Sequence, residues 1–354
     1  MAHKREDGLH MGQDIINFSE LQNPDQMLKN LLIGNGLSIW FSNQFRYQAL
    51  LEKCEDLTPR DKDLFAKLET SNFETCLKII NDAIEVNHFY EVSDNHIESY
   101  NRIRDSLIKT VRKVHINQTD LHDDKFAAAE HLFSKANSVF TTNYDLLAYW
   151  IILSLNKNKG QHFGDSFNRD YENNFPVSDL YFSQSFSKRS KKKIYYLHGA
   201  LHLYEEHGSI KKLSSSKSNV LLEHMVNNMG QGLMPIFVSE GNWELKKKAI
   251  ESNPYLKFCY DKLRSTEGDL TIFGHSLNKD TDYHIIDAIK KNKYISNIAY
   301  GIFTSGKEDL EIEHEKTSVN LAFQGKKSIH FFDSSSIFYY VSNWKGFGKP
   351  PWEV

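Results

Sequence analysis

Seven short apolar runs punctuate this chain, and four of them end in glycine or a small hydrogen-bonding residue. They are Lys29–Ile33, Ser138–Thr142, Ile194–Leu197, Pro235–Val238, Asp269–Phe273, Ile295–Phe303 and Ile329–Phe332. Each is apolar along its length rather than alternating, the pattern of strands buried on both faces of a parallel sheet. Helical spacing fills the gaps at 218–229, 243–264 and 280–291. The expected fold class is α/β: a parallel sheet flanked by helices.

Between the first two strands the pattern changes. From residue 61 to 136 apolar residues recur at helical spacing (Leu64 and Leu68; Phe73, Leu77, Ile80 and Ile84; Ile103 and Leu107) with no convincing period of two. This predicts an inserted subdomain of four or five helices. Residues 1–27 read as a polar N-terminal arm, and 28–60 with 137–354 as the core. Residues 157–193, rich in Asn, Asp, Ser and Lys around aromatic anchors such as Phe163, Phe167 and Tyr171, read as a long loop and a candidate lid.

The formal net charge is −3 and charged residues make up 25% of the chain, which fits neither a disordered segment nor a strongly basic nucleic-acid binder. The basic runs at 188–193 and at Lys246, Lys247 and Lys248 read as solvated faces, with phosphate contact the rarer use. Cys54, Cys76 and Cys259 are odd in number and far apart, so neither a disulfide framework nor a zinc site is indicated. With a polar first stretch and no run of about 20 apolar residues, a cytoplasmic protein with no membrane partner is expected.

In parallel sheets ligands bind beyond the carboxyl ends of the strands, so the residues there are the informative ones. They read Gly34-Asn35-Gly36-Leu37-Ser38, Thr141-Thr142-Asn143-Tyr144-Asp145, His198-Gly199-Ala200 and Gly274-His275-Ser276-Leu277. Small residues let backbone N–H groups approach a diphosphate. The first loop lacks the complete dinucleotide fingerprint, because Ile39 stands where a third glycine would be, and this argues against an ordinary dehydrogenase.

In this order the four loops resemble the NAD-binding core of sirtuins, and especially the sirtuin-like proteins of bacterial antiviral defence. The resemblance runs over roughly residues 30 to 290 and implies a Rossmann-like core. It implies that Gly34, Asn35, Gly36 and Ser38 hold the NAD diphosphate and that Asn143 and Asp145 lie beside the nicotinamide ribose. His198 would be the general base, with Gly274, Ser276 and Leu277 around the adenosine half and Thr142 and Gly199 completing the binding set. Departures are Asn35 where alanine is common, Tyr144 where deacylases carry an aliphatic residue, and the missing four-cysteine zinc ribbon. Without that ribbon the resemblance favours hydrolysis of NAD over protein deacylation or ADP-ribosyl transfer, with NAD as substrate and no metal. It also implies an oligomeric assembly, with a HerA-type ATPase as a possible partner. On that footing the chain could instead be a non-catalytic nucleotide-sensing or scaffold subunit.

The residue types suit this chemistry. A histidine with an ordinary pKa near 6.5 transfers protons around neutrality, and an asparagine offers both a donor and an acceptor. Asp145 reads equally well as the cap of the helix that follows it, and Asp280 and Asp282 read as caps of the helix at 280–291. His202 need not share a face with His198, His275 reads as a surface histidine, and Trp40 and Phe41 read as core.

Overall fold

The computed structural model describes residues 14–42, 49–71, 73–92, 96–114, 123–168, 179–213, 218–238 and 243–343. Twelve strands follow in chain order: β1 (Asn30–Ile33), β2 (Ser138–Thr141), β3 (Phe163–Gly164), β4 (Phe167–Asn168), β5 (Asp179–Phe182), β6 (Lys192–Tyr196), β7 (Gly199–Glu206), β8 (Ser209–Leu213), β9 (Pro235–Phe237), β10 (Leu270–Phe273), β11 (Asn297–Ile302) and β12 (Ser328–Asp333). Seven form a parallel sheet ordered β12-β11-β10-β1-β2-β6-β3. At its centre Leu32 lies between Phe140 and Ile272. Every residue of β1 and β10 is buried, which is why these strands read as unbroken apolar runs. Burying a side chain such as Leu31, Leu32 or Ile33 contributes roughly 1.5–3 kcal/mol.

The two-residue β3 apart, the chain builds this sheet outward from β1 to β2 and β6, then crosses back to β10, β11 and β12. That is the strand order of the doubly wound dinucleotide-binding fold, so the protein is a Rossmann-like α/β protein with its switch in direction between β1 and β10.

A second, five-stranded antiparallel sheet ordered β4-β5-β8-β7-β9 was not expected from the sequence. Pro235–Phe237 belongs here, pairing antiparallel with β7 rather than joining the parallel sheet. A three-residue apolar run does not reveal which sheet it enters. The stretch read as a long loop and lid contributes β3, β4, β5 and the start of β6 instead. Its strands are too short to show a period, and residues 169–178, Tyr171 included, lie outside the described residues. β6 passes into β7 through Leu197 and His198 alone, so the two sheets are joined at the strand end that carries the histidine.

Between β1 and β2 lie helices at Pro59–Lys67, Phe73–Phe89, His96–Val114 and Asp123–Lys135, matching the helical spacing read there. Thr58 and Asp61 close the first of them with a capping box, and Arg102 clamps the Asp61 carboxylate at 2.7 and 2.8 Å. The 243–264 helix is broken at Asn253-Pro254, where Asn253 caps Pro254–Ser265. Helices Asp309–Phe323 and Ser336–Ser342 were not anticipated. Residues 1–13 of the polar arm lie outside the described residues. From Asp14 onward the arm packs on the core, with Phe18 fully buried against Phe332.

Candidate functional site

The turns after β1 and β10 meet at the switch point. Gly34 donates its N–H to the Phe273 carbonyl (2.9 Å) and Gly36 to that of Gly274 (2.8 Å). A Cβ on Gly34 would lie 2.4 Å from the Gly274 oxygen, and one on Gly274, whose φ is +66°, 2.8 Å from the Gly36 Cα. These glycines are therefore demanded by main-chain contact between the two turns as well as by any ligand. Leu277 is buried, with a φ of +49°, and its N–H donates to His275 Nδ1 (3.0 Å).

Ser38 sits on the short helix Gly36–Phe41 and joins two residues that follow β2. The Asn143 Nδ2 donates to the Ser38 Oγ (2.8 Å), which donates to Asp145 Oδ2 (2.6 Å). Asp145 Oδ1 accepts from the Leu147 N–H (2.8 Å), so this carboxylate also holds the start of helix Leu147–Lys159, the capping role read as its alternative. All three side chains are buried. Burial pushes the Asp145 carboxyl above the ordinary carboxylate range, while the Ser38 and Leu147 hydrogen bonds oppose that rise. One amide hydrogen of Asn143 goes to Ser38, while its Oδ1 is buried without a hydrogen-bond partner.

His198 follows β6 in the register that Asn143 takes after β2. Thr141 pairs with Tyr196, and the ladder extends one bond further from the Leu197 N–H to the Thr141 carbonyl (2.8 Å). The two residues thus each stand two positions beyond the last paired residues of neighbouring strands. His198 Nε2 lies 2.8 Å from Nε2 of His284, on helix Lys279–Lys291. Asp282 stands beside them at a kink in that helix and pairs with Lys246 (3.2 Å). It is not the cap expected of it: Asn278 accepts the N–H groups of Asp280 and Thr281 instead.

His198, Asp282 and His284 are metal-ligating types with ligand atoms within 4.8 Å of one another. Tetrahedral zinc, with bonds of about 2.0–2.1 Å, would hold two nitrogens roughly 3.3 Å apart. Here they are 2.8 Å apart and the ring centroids 5.0 Å. The centroids are farther apart than the nitrogens by about two ring radii, so the nitrogens point straight at each other. That is the geometry of an N–H···N hydrogen bond, and the Lys246 ammonium already balances the Asp282 charge.

These elements border one cavity of about 650 Å³ along the carboxyl edge of the sheet. It reaches from His198 beyond β6, past Thr142 and Tyr144, across the switch point, to Gly301 near the end of β11 and Ser334 beyond β12. Of the residues singled out in the sequence, Asn35, Gly36, Thr142, His198, Gly274 and Ser276 line it. Asn143, Ser38 and Asp145 form the buried chain described above. Gly34 lies in the turn contact, Leu277 in the core, and Gly199 starts β7 against β9. His275, read as a surface residue, is buried and lines the cavity.

Sequence reading missed Lys246, Asp282 and His284. Lys246 belongs to a run that reads as a solvated face, yet its side chain is only 11% exposed and it lines the cavity. Its position on the inner face of helix Trp243–Ser252 is set by packing that no local pattern records. Lys307 and Glu315 add an ion pair at the far end (2.5 Å), where Tyr300 OH lies 3.0 Å from Glu315 and 2.8 Å from the His275 carbonyl.

Burial holds His198, His202, His275 and His284 below the ordinary histidine value of 6.5, His284 down to about 3. For His198, the neighbouring His284, Lys246 and His275 push in the same direction. The ordinary basicity expected of this residue is therefore lost. In the unfolded chain the four rings take up protons as pH falls through 6.5, whereas the native rings stay neutral. Their contribution to stability is complete above pH 6.5 and falls as the pH drops below it, by at most about 1.4 kcal/mol per pH unit for a ring that stays neutral. For His284 alone this reaches roughly 2 kcal/mol at pH 5. A urea midpoint that is the same at pH 7.5 and pH 5 would contradict the burial of these rings.

Among the described residues, no helix is long and apolar enough to cross a membrane. No curated protein matches the sequence. A family profile covers residues 31–339, from the first strand of the parallel sheet into the last helix, and so takes in all the elements that border the cavity. The chain belongs to that family, described as a domain of unknown function, DUF4917.

Proposed function

We propose that this protein hydrolyses the nicotinamide–ribose bond of NAD, giving nicotinamide, ADP-ribose and a proton. One observation carries the reading: residues from four separate loops, Asn35 and Gly36, Thr142, His198, and Gly274 with Ser276, converge on a single elongated cavity at the switch point of the sheet. Its volume lies within the range of small-molecule sites. The elongation suits a molecule of two nucleotides.

The N-glycosidic bond breaks with its electron pair leaving on nicotinamide, and the ribose becomes oxocarbenium-like. Water adds to that carbon, and His198 takes the proton the water releases. The Asn143 carboxamide lies behind the cavity wall rather than in its lining and holds Ser38, and through it the turn that carries Asn35 and Gly36. Lys246 supplies positive charge toward the diphosphate. On the resemblance to sirtuin-like defence proteins we further propose a cytoplasmic, oligomeric effector of antiviral defence, with a HerA-type ATPase as candidate partner.

The depressed basicity of His198 favours a second reading, a subunit that binds NAD without turning it over. Incubation with NAD, alone and with the candidate ATPase, separates the two. Nicotinamide and ADP-ribose released in equal amounts are expected. Saturable NAD binding with no release under either condition would overturn hydrolysis and leave the binding subunit.

A further inference from the structure

The contact between His198 and His284 decides which nitrogen of His198 can act. With Nε2 pointed at Nε2 over 2.8 Å, one ring must donate and the other accept, so the two imidazoles carry opposite tautomers. His198 borders the cavity, and Nδ1 is its remaining nitrogen. His284 has no other anchor at its ring nitrogens, since its Nδ1 is buried without a hydrogen-bond partner. Its ring is held instead by the His198 contact and by the helix that carries it, whose backbone accepts from Tyr260 at the His284 carbonyl (3.0 Å).

We infer that His284 is a positioning residue that accepts a hydrogen bond from Nε2–H of His198, leaving the Nδ1 lone pair of His198 as the base of the hydrolysis proposed above. The direction follows from the charges around the pair. In an N–H···N bond the more basic ring accepts, and Asp282, two residues before His284 on the same kinked helix and within 4.8 Å of the pair, favours positive charge on that ring. Lys246 and His275 act on both rings in the opposite sense. When Nδ1 of His198 takes a proton from water, the Nε2 proton can pass to His284. The charge then moves away from the oxocarbenium-like ribose and toward Asp282. One proton enters the pair at Nδ1 and one shifts between the two Nε2 atoms, so the step balances. The inference rests on the hydrolase reading for its meaning, but the tautomer itself does not depend on turnover.

The test is a long-range nitrogen–proton NMR correlation on the full chain labelled with ¹⁵N-histidine, with the His198 signals assigned from His198→Gln. The expected result is a protonated Nε2 and an unprotonated Nδ1 for His198. In His284→Gln the side-chain oxygen can still accept from Nε2–H, so both the tautomer and most of kcat should persist. His284→Leu removes the acceptor, and kcat should fall roughly 10- to 100-fold, part of the 10²–10⁴ that a positioned base supplies, with KM for NAD little changed. Protonation of His198 at Nδ1 in the unaltered protein overturns the inference, whether or not His284→Leu folds. So does a His284→Leu protein that keeps the tautomer and full kcat. If the unaltered protein shows the expected tautomer and releases no nicotinamide either alone or with the candidate ATPase, the hydrolase reading fails and the pairing stands.

Discussion

Alanine at position 198 is expected to lower nicotinamide release by roughly 10²–10⁴-fold while the protein remains folded, because a positioned base contributes that much to a proton-transfer step. The ring lines the cavity at the junction between β6 and β7. Its removal also strands the His284 Nε2, at a stability cost of about 1–3 kcal/mol. Circular dichroism and a melting curve beside the kinetics keep the two effects apart. Asn143→Ala should reach a similar loss of kcat by a different route: it removes the carboxamide and leaves the Ser38 hydroxyl without the donor that orders the chain to Asp145. A folded variant of either kind with near-normal kcat would show that the residue has no part in turnover.

The largest effect on folding is expected from Gly199→Ala. A Cβ there would sit 2.1 Å from the Ile236 carbonyl oxygen, 2.8 Å from its carbon and 2.9 Å from the Phe237 Cα, all of them main chain. The residue also has a φ of +77°, where a side chain adds about 1–2 kcal/mol of strain. No rotamer can relieve the clash, so β9 must move from β7, and the 2.7 Å bond from the Val238 N–H to the His198 carbonyl goes with it. The expected cost exceeds about 4 kcal/mol, among the largest for a single substitution. Gly160→Ala is the matched control: its φ is +58° but nothing lies within 4 Å, so only the backbone strain remains. Urea midpoints should separate the two widely. A Gly199→Ala midpoint equal to that of Gly160→Ala would refute the steric argument.

The parallel sheet was legible in the sequence because its strands are covered on both faces. Leu31-Leu32-Ile33 and Leu270-Thr271-Ile272-Phe273 cannot be mistaken for half-exposed strands, and their carboxyl ends follow directly. The second sheet was not legible. In Gly199–Glu206 the apolar residues are interrupted by His202, which is fully buried, and no strand is evident there from the sequence. The same difference divides the site. Asn35, Gly36, Thr142, His198, Gly274 and Ser276 could be picked out because each stands next to a recognisable strand. His284 lies 86 residues from its partner and Lys246 36 residues from Asp282, and only folding brings them together. The Asp282 misreading has a local cause. Asn278, two residues before Asp280, is the better cap, and it frees Asp282 to turn inward.

Because the turns after β1 and β10 rest on each other through glycine main chain, the floor of the crevice is built almost without side chains. Its shape cannot be retuned residue by residue: any added methyl group there collides with backbone. In this chain the room for a change of charge or reach lies along the walls, at positions such as Ser276, Lys307 and Glu315, whose side chains border the cavity without forming that main-chain contact.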